Sequence, residues 1–352
     1  MSVSFSPLRV SRVDPLCDDA VAVAFEVPDE LASTFVFRPG QSVTLRRILD
    51  GREERRSYSI CAAAGSPPRI GVREVDGGDL SPWLVREVAP GDRIEVAPPS
   101  GTFALPAETG GRHVLIGAGS GITPLLSIAA TALTDPSAHV TLLYGNRRSD
   151  SVMFADELAD LKDRYPDRFE LVHVLSRESR EVDALSGRLD AERLSALLDA
   201  LVPIARVDHW WLCGPFAMVE DARDLLRGAG VAAERVHREL FYVEDVAPPP
   251  VEHVDAAATG ATAEVTVILD GRATTMTLPR AEPILDAAQR VRADLPFACK
   301  GGVCGTCRAL VTVGEVSMRR NFALEDDELA DGFVLTCQSL PVTDAVTVDY
   351  DR

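Results

Sequence analysis

The sequence predicts a multidomain chain: an antiparallel β-barrel, an α/β domain on a parallel sheet, and a smaller α+β domain. Three observations carry that reading. A chain of 352 residues is too long for one ordinary core. Period-two alternation of apolar residues gives way near residue 108 to strands and helices in turn. A proline-rich, aperiodic stretch then precedes a last segment in which alternation returns and cysteines cluster. The expected divisions are 1–107, 108–243, a linker at 244–261, and 262–352.

In the first division, Ala20 to Val27 alternates, and Ser42 to Leu45 and Arg93 to Val96 are short strand-like runs between turns. A small antiparallel barrel satisfies such strands. One predicted strand ends in Arg56-Ser57-Tyr58-Ser59, which sets a cation, an aromatic face and hydroxyls side by side. That set suits a pyrophosphate, a stacked ring and a hydrogen bond to a reactive nitrogen. Arg73 and the turn Gly77-Gly78-Asp79-Leu80-Ser81 add a second cation and free amides.

The second division reads as strands at His113 to Ile116, Val140 to Tyr144, Phe169 to Val174 and Trp210 to Cys213. Helices are expected at Pro124 to Ala132, Met153 to Lys162 and Ala217 to Arg227. The first strand runs into Gly117-Ala118-Gly119-Ser120-Gly121-Ile122-Thr123-Pro124, where backbone amides and a helix N-terminus can cradle a phosphate. Ile122 stands where the dinucleotide fingerprint has its third glycine, so the turn alone is weak evidence. Cys213-Gly214-Pro215, at the end of a later strand of the same sheet, strengthens it. Arg147, Arg148 and the pair Ser176-Arg177 sit at adjacent strand ends and favour the 2′-phosphate of NADPH over NADH, against which Asp150 stands nearby.

The third division opens with alternation from Ala263 to Leu269 and a helix over Ile284 to Val291. Cys299, Cys304 and Cys307 follow the spacing C-x4-C-x2-C, with Cys337 thirty residues further on. This is the ligand pattern of a plant-type [2Fe-2S] cluster, and glycines between the ligands let backbone amides point at sulfide. A structural zinc site is the alternative, but zinc ligands usually come as two Cys pairs, and Cys337 stands alone.

A formal net charge of −18 argues against nucleic acid as a partner. No apolar run is long enough to span a membrane, and thiols reserved for a cluster point to the cytoplasm. Glu325 to Glu328 with Asp331 reads as the acidic first turn of a helix, closed by Gly332, or as a patch that steers a basic partner. Cys17 and Cys61 read as small buried side chains, His237 as a packing residue, and Trp83, Trp210 and Trp211 as core or contact residues.

At these motifs the chain resembles the ferredoxin-NADP reductase superfamily joined to a plant-type ferredoxin, over nearly its whole length. The matching stretches are Arg56 to Ser59, Gly78 to Ser81, Gly117 to Pro124, Cys213 to Pro215, Glu239-Leu240-Phe241 and the four cysteines. The resemblance implies an FAD barrel, an NADP-binding domain and a β-grasp ferredoxin domain. It implies that Arg56 binds FAD pyrophosphate, Tyr58 packs on the isoalloxazine and Ser59 lies beside flavin N5. Ser57, Arg73, Gly78, Leu80, Ser81 and Phe241 complete the expected FAD set. Gly117, Gly119, Gly121, Thr123, Pro124, Arg147, Ser176, Arg177, Cys213, Gly214 and Pro215 form the expected NADP set, with Thr123 and Cys213 flanking the nicotinamide. Ser59 and Cys213 are the expected catalytic pair.

The order reductase then ferredoxin, with Arg55 to Cys61, Tyr144 to Arg147, Val174 to Glu178, Cys299 to Cys304 and the terminal Val348-Asp349-Tyr350-Asp351, makes the chain most similar to the reductase components of phenylacetyl-CoA epoxidases. That resemblance implies electron delivery from NADPH through FAD and [2Fe-2S] to the di-iron oxygenase subunits of a multicomponent epoxidase in aerobic phenylacetate degradation. Reductases of steroid 9α-hydroxylases share the domain order and are the alternative. A non-catalytic redox sensor is the alternative from another class.

Overall fold

The structure, a computed structural model, describes residues 4–49, 51–241, 262–292 and 294–352. The expected linker at 244–261 lies outside the described residues. The chain divides into two compact units, one within 5–241 and one within 262–352.

The first unit begins with β1 (Ser6–Cys17), β2 (Ala20–Glu26), β3 (Ser42–Leu49), β4 (Arg52–Ser59), β5 (Arg69–Arg73), helix α1 (Leu80–Arg86) and β6 (Arg93–Val96). The strands form an antiparallel sheet in the order β4-β3-β6-β1-β2-β5, and an antiparallel bridge between Ile60 and Ile70 closes it into a barrel. Strand β2 shows why the barrel takes this place. Its Val21, Val23 and Phe25 fill the barrel core, while Ala20 and Ala22, on the other face, join the core of the following domain. Small residues on that face let a second layer pack closely.

That layer comprises β7 (Arg112–Ala118), α2 (Ile122–Ala132), β8 (His139–Asn146), α3 (Ala155–Arg164), β9 (Phe169–Leu175), α4 (Ala191–Leu201), β10 (His209–Gly214), α5 (Phe216–Gly228) and β11 (Val236–Leu240). All its strands are parallel, in the order β11-β10-β7-β8-β9. The chain leaves β7 in one direction for β8 and β9 and returns on the other side for β10 and β11. A crevice therefore opens beyond the C-terminal ends of β7 and β10, the usual place for a ligand in such a sheet. Barrel and sheet are clamped together. Arg69 reaches both Glu157 carboxylate oxygens at 2.9 and 2.8 Å, and Ser127 Oγ donates to the Ala62 carbonyl at 2.6 Å.

Helix α3 starts at Ala155, two residues later than the apolar period suggests, because Phe154 takes a left-handed backbone at φ 59°. Helices α1 and α4 and strand β11 escaped the sequence reading.

At the N-terminal ends of β7, β10 and β11, His113, His209 and His237 gather around Trp211. The Trp211 indole N–H donates to His113 Nδ1 at 3.3 Å, so the His113 proton sits on Nε2, facing the Thr109 carbonyl at 3.1 Å. His209 Nδ1 and His237 Nε2 lie 3.2 Å apart, and His237 stacks on Trp211 with ring centroids 4.1 Å apart. Burial pushes all three imidazoles down, His237 to about 4 with His209 and His113 adding to the effect. The fold thus holds them neutral while the unfolded chain takes up protons near pH 6.5. Their contribution is full above that value and is lost as pH falls toward 4. Glu239, raised in the fold, acts in the opposite sense: its contribution is full below about 4.5 and is lost as pH rises toward 8. We expect His237→Gln to narrow the stability difference between pH 7.5 and pH 5 by roughly 1 kcal/mol relative to the parent, solvent screening taking about half of the full linkage value, read by urea unfolding. An unchanged difference would show that the cluster carries no linkage.

The second unit contains β12 (Thr262–Leu269), β13 (Arg272–Pro279), α6 (Ile284–Ala288), β14 (Arg308–Val313), β15 (Val316–Met318), α7 (Asp326–Ala330), β16 (Phe333–Leu335), β17 (Ser339–Pro341) and β18 (Ala345–Asp349). Its main sheet runs β13-β12-β18-β14-β16, parallel only between β12 and β18. Helix α6 is shorter than expected. Val291, where the sequence extends it, is 61% exposed and gains nothing by continuing the turn. The acidic run does form a helix. Glu325 and Glu328 make a reciprocal capping box at the N-terminus of α7.

Candidate functional site

Across the C-terminal edge of the parallel sheet, Gly117, Cys213 and Glu239 stand in register on β7, β10 and β11. Ser59, at the end of β4, meets this row from the barrel: its buried hydroxyl donates to Glu239 Oε2 at 3.0 Å. Burial pushes the Glu239 carboxyl up to about 8, partly offset by that hydrogen bond. The Cys213 thiol is fully buried, and burial with the neighbouring Glu239 carboxylate holds its pKa well above the ordinary value. It stays a neutral thiol that shapes the site rather than a nucleophile.

The glycine turn packs against this row with almost no clearance. A Cβ on Gly121 would lie 2.1 Å from the Cys213 carbonyl oxygen and 2.9 Å from the Gly214 nitrogen, both backbone atoms. Tyr144, buried on β8, donates its hydroxyl to the Gly119 carbonyl at 2.9 Å and Thr123 donates to Ser120 at 3.0 Å, so the turn is braced from both sides. Pro124 falls in the first turn of α2, where its missing N–H costs no intrahelical bond.

The candidate 2′-phosphate residues come together as well. Backbone hydrogen bonds join Ser176 to Asn146 at 2.9 Å and Arg177 to Arg147 at 2.7 Å, so the ends of β8 and β9 lie side by side. The Arg147 and Arg177 side chains are exposed, and among the described residues no carboxylate pairs with either. Asp150 is turned to Arg148 at 3.5 Å, and Glu178 accepts from the Ser149 amide and hydroxyl at 2.9 Å. The two acids of this corner are therefore already engaged.

Within the barrel, Arg56 pairs with Glu54 at 3.1 Å, Ser57 shares a hydrogen bond with Thr44 at 3.0 Å, and Tyr58 packs at the core's edge. Three expectations change here. Arg73 ties the barrel to the sheet domain, contacting Asp19 at 3.1 Å and the Ser151 carbonyl at 2.6 Å. The Gly78 amide is not free, because it donates to the Val75 carbonyl at 3.0 Å. Leu80 is buried in the barrel core, so it can offer a ligand only backbone atoms, while the Ser81 hydroxyl accepts from the Val75 amide and keeps its own proton to donate. Phe241 packs on the sheet domain's core. Cys61 is buried, whereas Cys17 is only half-buried beside Asp19 and Arg73.

In the second unit the four sulfurs come as two pairs, Cys299 with Cys304 and Cys307 with Cys337. Two thiolates for each of two irons fit this division. The Cys299 thiol is drawn down by a hydrogen bond from Cys304, helped by backbone amides that include Gly301 at 3.3 Å. Gly302 and Gly305, at φ 80° and 67°, permit the wrap that aims those amides.

Glu239 is the residue the motif reading missed, although it stood in a stretch already noted. Its signal was weak, since the sequence shows an acid on a strand but not that Ser59 and Cys213 flank it.

Comparison with known proteins covers each part. Residues 7–105 match the oxidoreductase FAD-binding domain family, 115–224 the oxidoreductase NAD-binding domain family, and 267–342 the 2Fe-2S iron-sulfur cluster binding domain family. The chain is 43% identical to one of the subunits of the 1,2-phenylacetyl-CoA epoxidase of Escherichia coli K12, over 99% of this chain and 98% of that one. It is 35% identical to the ferredoxin reductase component of the 3-ketosteroid-9-alpha-monooxygenase of Rhodococcus rhodochrous, over 97% and 96%. Phthalate dioxygenase reductase shares the fold, with a TM-score of 0.62 at 23% identity over 98% of both chains.

Proposed function

The chain belongs to the oxygenase-reductase family that includes this component of the 1,2-phenylacetyl-CoA epoxidase, and we propose that it carries electrons from NADPH to the di-iron oxygenase of such an epoxidase. It is an NAD(P)H-dependent oxidoreductase with FAD-binding, NAD-binding and [2Fe-2S] domains. This membership sets aside the redox-sensor and zinc readings. When bound, FAD accepts electrons as a pair and releases them singly to a cluster that takes one at a time.

The chain's own residues give that chemistry its place. Arg56, Ser57 and Tyr58 would hold the flavin in the barrel, with the backbone at Gly78 to Ser81. The glycine turn and Gly214-Pro215 would seat the nucleotide. Ser59 and Glu239 keep a hydrogen-bonded pair at the junction, and Cys213 and Thr123 close it against water. The four thiolates would hold the iron and sulfide. That thiolate requirement suits a reducing cytoplasm, and among the described residues no helix is long and apolar enough to cross a membrane.

The observation that carries the choice of partner is the 43% identity to the epoxidase component, which covers 99% of this chain and so all its domains. Reconstitution with candidate oxygenase components tests it. NADPH consumption should yield product from phenylacetyl-CoA and none from a steroid; the reverse would overturn the assignment.

The preference for NADPH rests on Ser176, Arg177 and Arg147. Replacing Ser176 and Arg177 with alanine should lower kcat/KM for NADPH by roughly ten- to a hundredfold, the worth of one or two charge-assisted hydrogen bonds. The value for NADH, measured with ferricyanide as acceptor, should stay within about twofold. Equal losses with both would show that these side chains do not read the phosphate.

A further inference from the structure

Within the second unit, the contacts of the terminal stretch Val348-Asp349-Tyr350-Asp351 lead to the cysteine cradle. Asp351 accepts hydrogen bonds from the amides of Asp270 and Gly271, at 2.8 and 2.7 Å, in the β12–β13 turn. The Tyr350 amide donates to the Ile268 carbonyl at 3.0 Å. The backbone of Tyr350 is thereby held on both sides, and its hydroxyl lies 2.7 Å from Thr336 Oγ1.

Thr336 immediately precedes Cys337 and is fully buried. Its amide and its hydroxyl both donate to the Cys307 carbonyl, at 3.1 and 3.0 Å. A hydroxyl has one proton, so with that proton on Cys307 the short contact must have Tyr350 as donor. The order is fixed: Tyr350 hydroxyl to Thr336 hydroxyl to Cys307 carbonyl. The chain of bonds spans the sulfur pair formed by Cys307 and Cys337, whose positions are 30 residues apart in sequence.

We propose that Tyr350 is a positioning residue for the iron–sulfur centre, locking the Cys307/Cys337 half of the cradle through the Thr336 hydroxyl. The inference rests on reading the four cysteines as cluster ligands. The other half, Cys299 and Cys304, is held by the glycine loop's own amides and does not depend on this relay.

The test uses full-length protein with its cluster in place and follows loss of visible cluster absorbance in excess chelator. Tyr350→Phe removes only the terminal donor and should speed decay about fivefold, the worth of one ordinary hydrogen bond. Thr336→Val should speed it more. Thr336→Ser keeps the hydroxyl and should restore the parental rate. In a Thr336→Val background, adding Tyr350→Phe should change nothing further, because the relay is already broken. A parental rate in Tyr350→Phe, a fast rate in Thr336→Ser, or effects that multiply in the double variant would each overturn the relay. Absence of iron and sulfide from the parent would instead refute the cluster reading itself.

Discussion

Cys304→Ser should leave NADPH-driven reduction of ferricyanide within about twofold of the parent, while oxygenase-coupled product formation falls by about two orders of magnitude or more. Loss of residues that merely support metal ligands already costs ten- to a hundredfold, and here a ligand itself is removed. Cys304 shares its sulfur pair with Cys299 inside one short loop, so no nearby thiol replaces it. The serine hydroxyl does not ionise at neutral pH and cannot supply the missing thiolate. Ser59, Glu239, Cys213 and the glycine turn belong to the other compact unit, so ferricyanide reduction should not feel the change. Both rates are read in one NADPH assay by changing the acceptor. Surviving product formation would remove the cluster from the path.

Gly121→Ala should cut flavin reduction by NADPH about a hundredfold. The added methyl group meets only backbone, the Cys213 carbonyl oxygen at 2.1 Å and its carbon at 2.6 Å, and no side chain can swing aside. Either the glycine turn or the end of β10 must retreat. The two carry Thr123 and Cys213, and misplacing a reactant by about 1 Å can cost a hundredfold in rate. Overpacking should also lower stability by about 1–3 kcal/mol. Rapid mixing with NADPH under anaerobic conditions reads the rate directly, and a parental rate would mean that the turn does not set the nucleotide's position.

How much was legible in the sequence depended on how local each signal was. The cysteine spacing was readable because ligands five and three residues apart fix a loop by covalent geometry alone. The barrel strands and the β7-to-α2 turn were readable for a similar reason, since alternation and glycine placement are properties of short windows. Glu239 was not readable as a partner of Ser59, because 180 residues separate them and only the docking of barrel on sheet brings them together. The fate of Arg73 was equally hidden. An arginine at a strand end looks free until Asp19 and the Ser151 carbonyl arrive from elsewhere in the chain. Helix α1 escaped because it is seven residues long, contains Pro82 and follows two glycines, so the turn signal outweighs any helical period. Tyr350 carries no local signal at all, and its use appears only when Thr336 is seen beneath it.

The central claim is that electrons pass from the nucleotide to the cluster only by way of the flavin domain. Anaerobic rapid mixing of NADPH with protein stripped of FAD, its cluster intact, tests this most directly. The account predicts no cluster bleaching until FAD is restored. Bleaching by NADPH without FAD would contradict it.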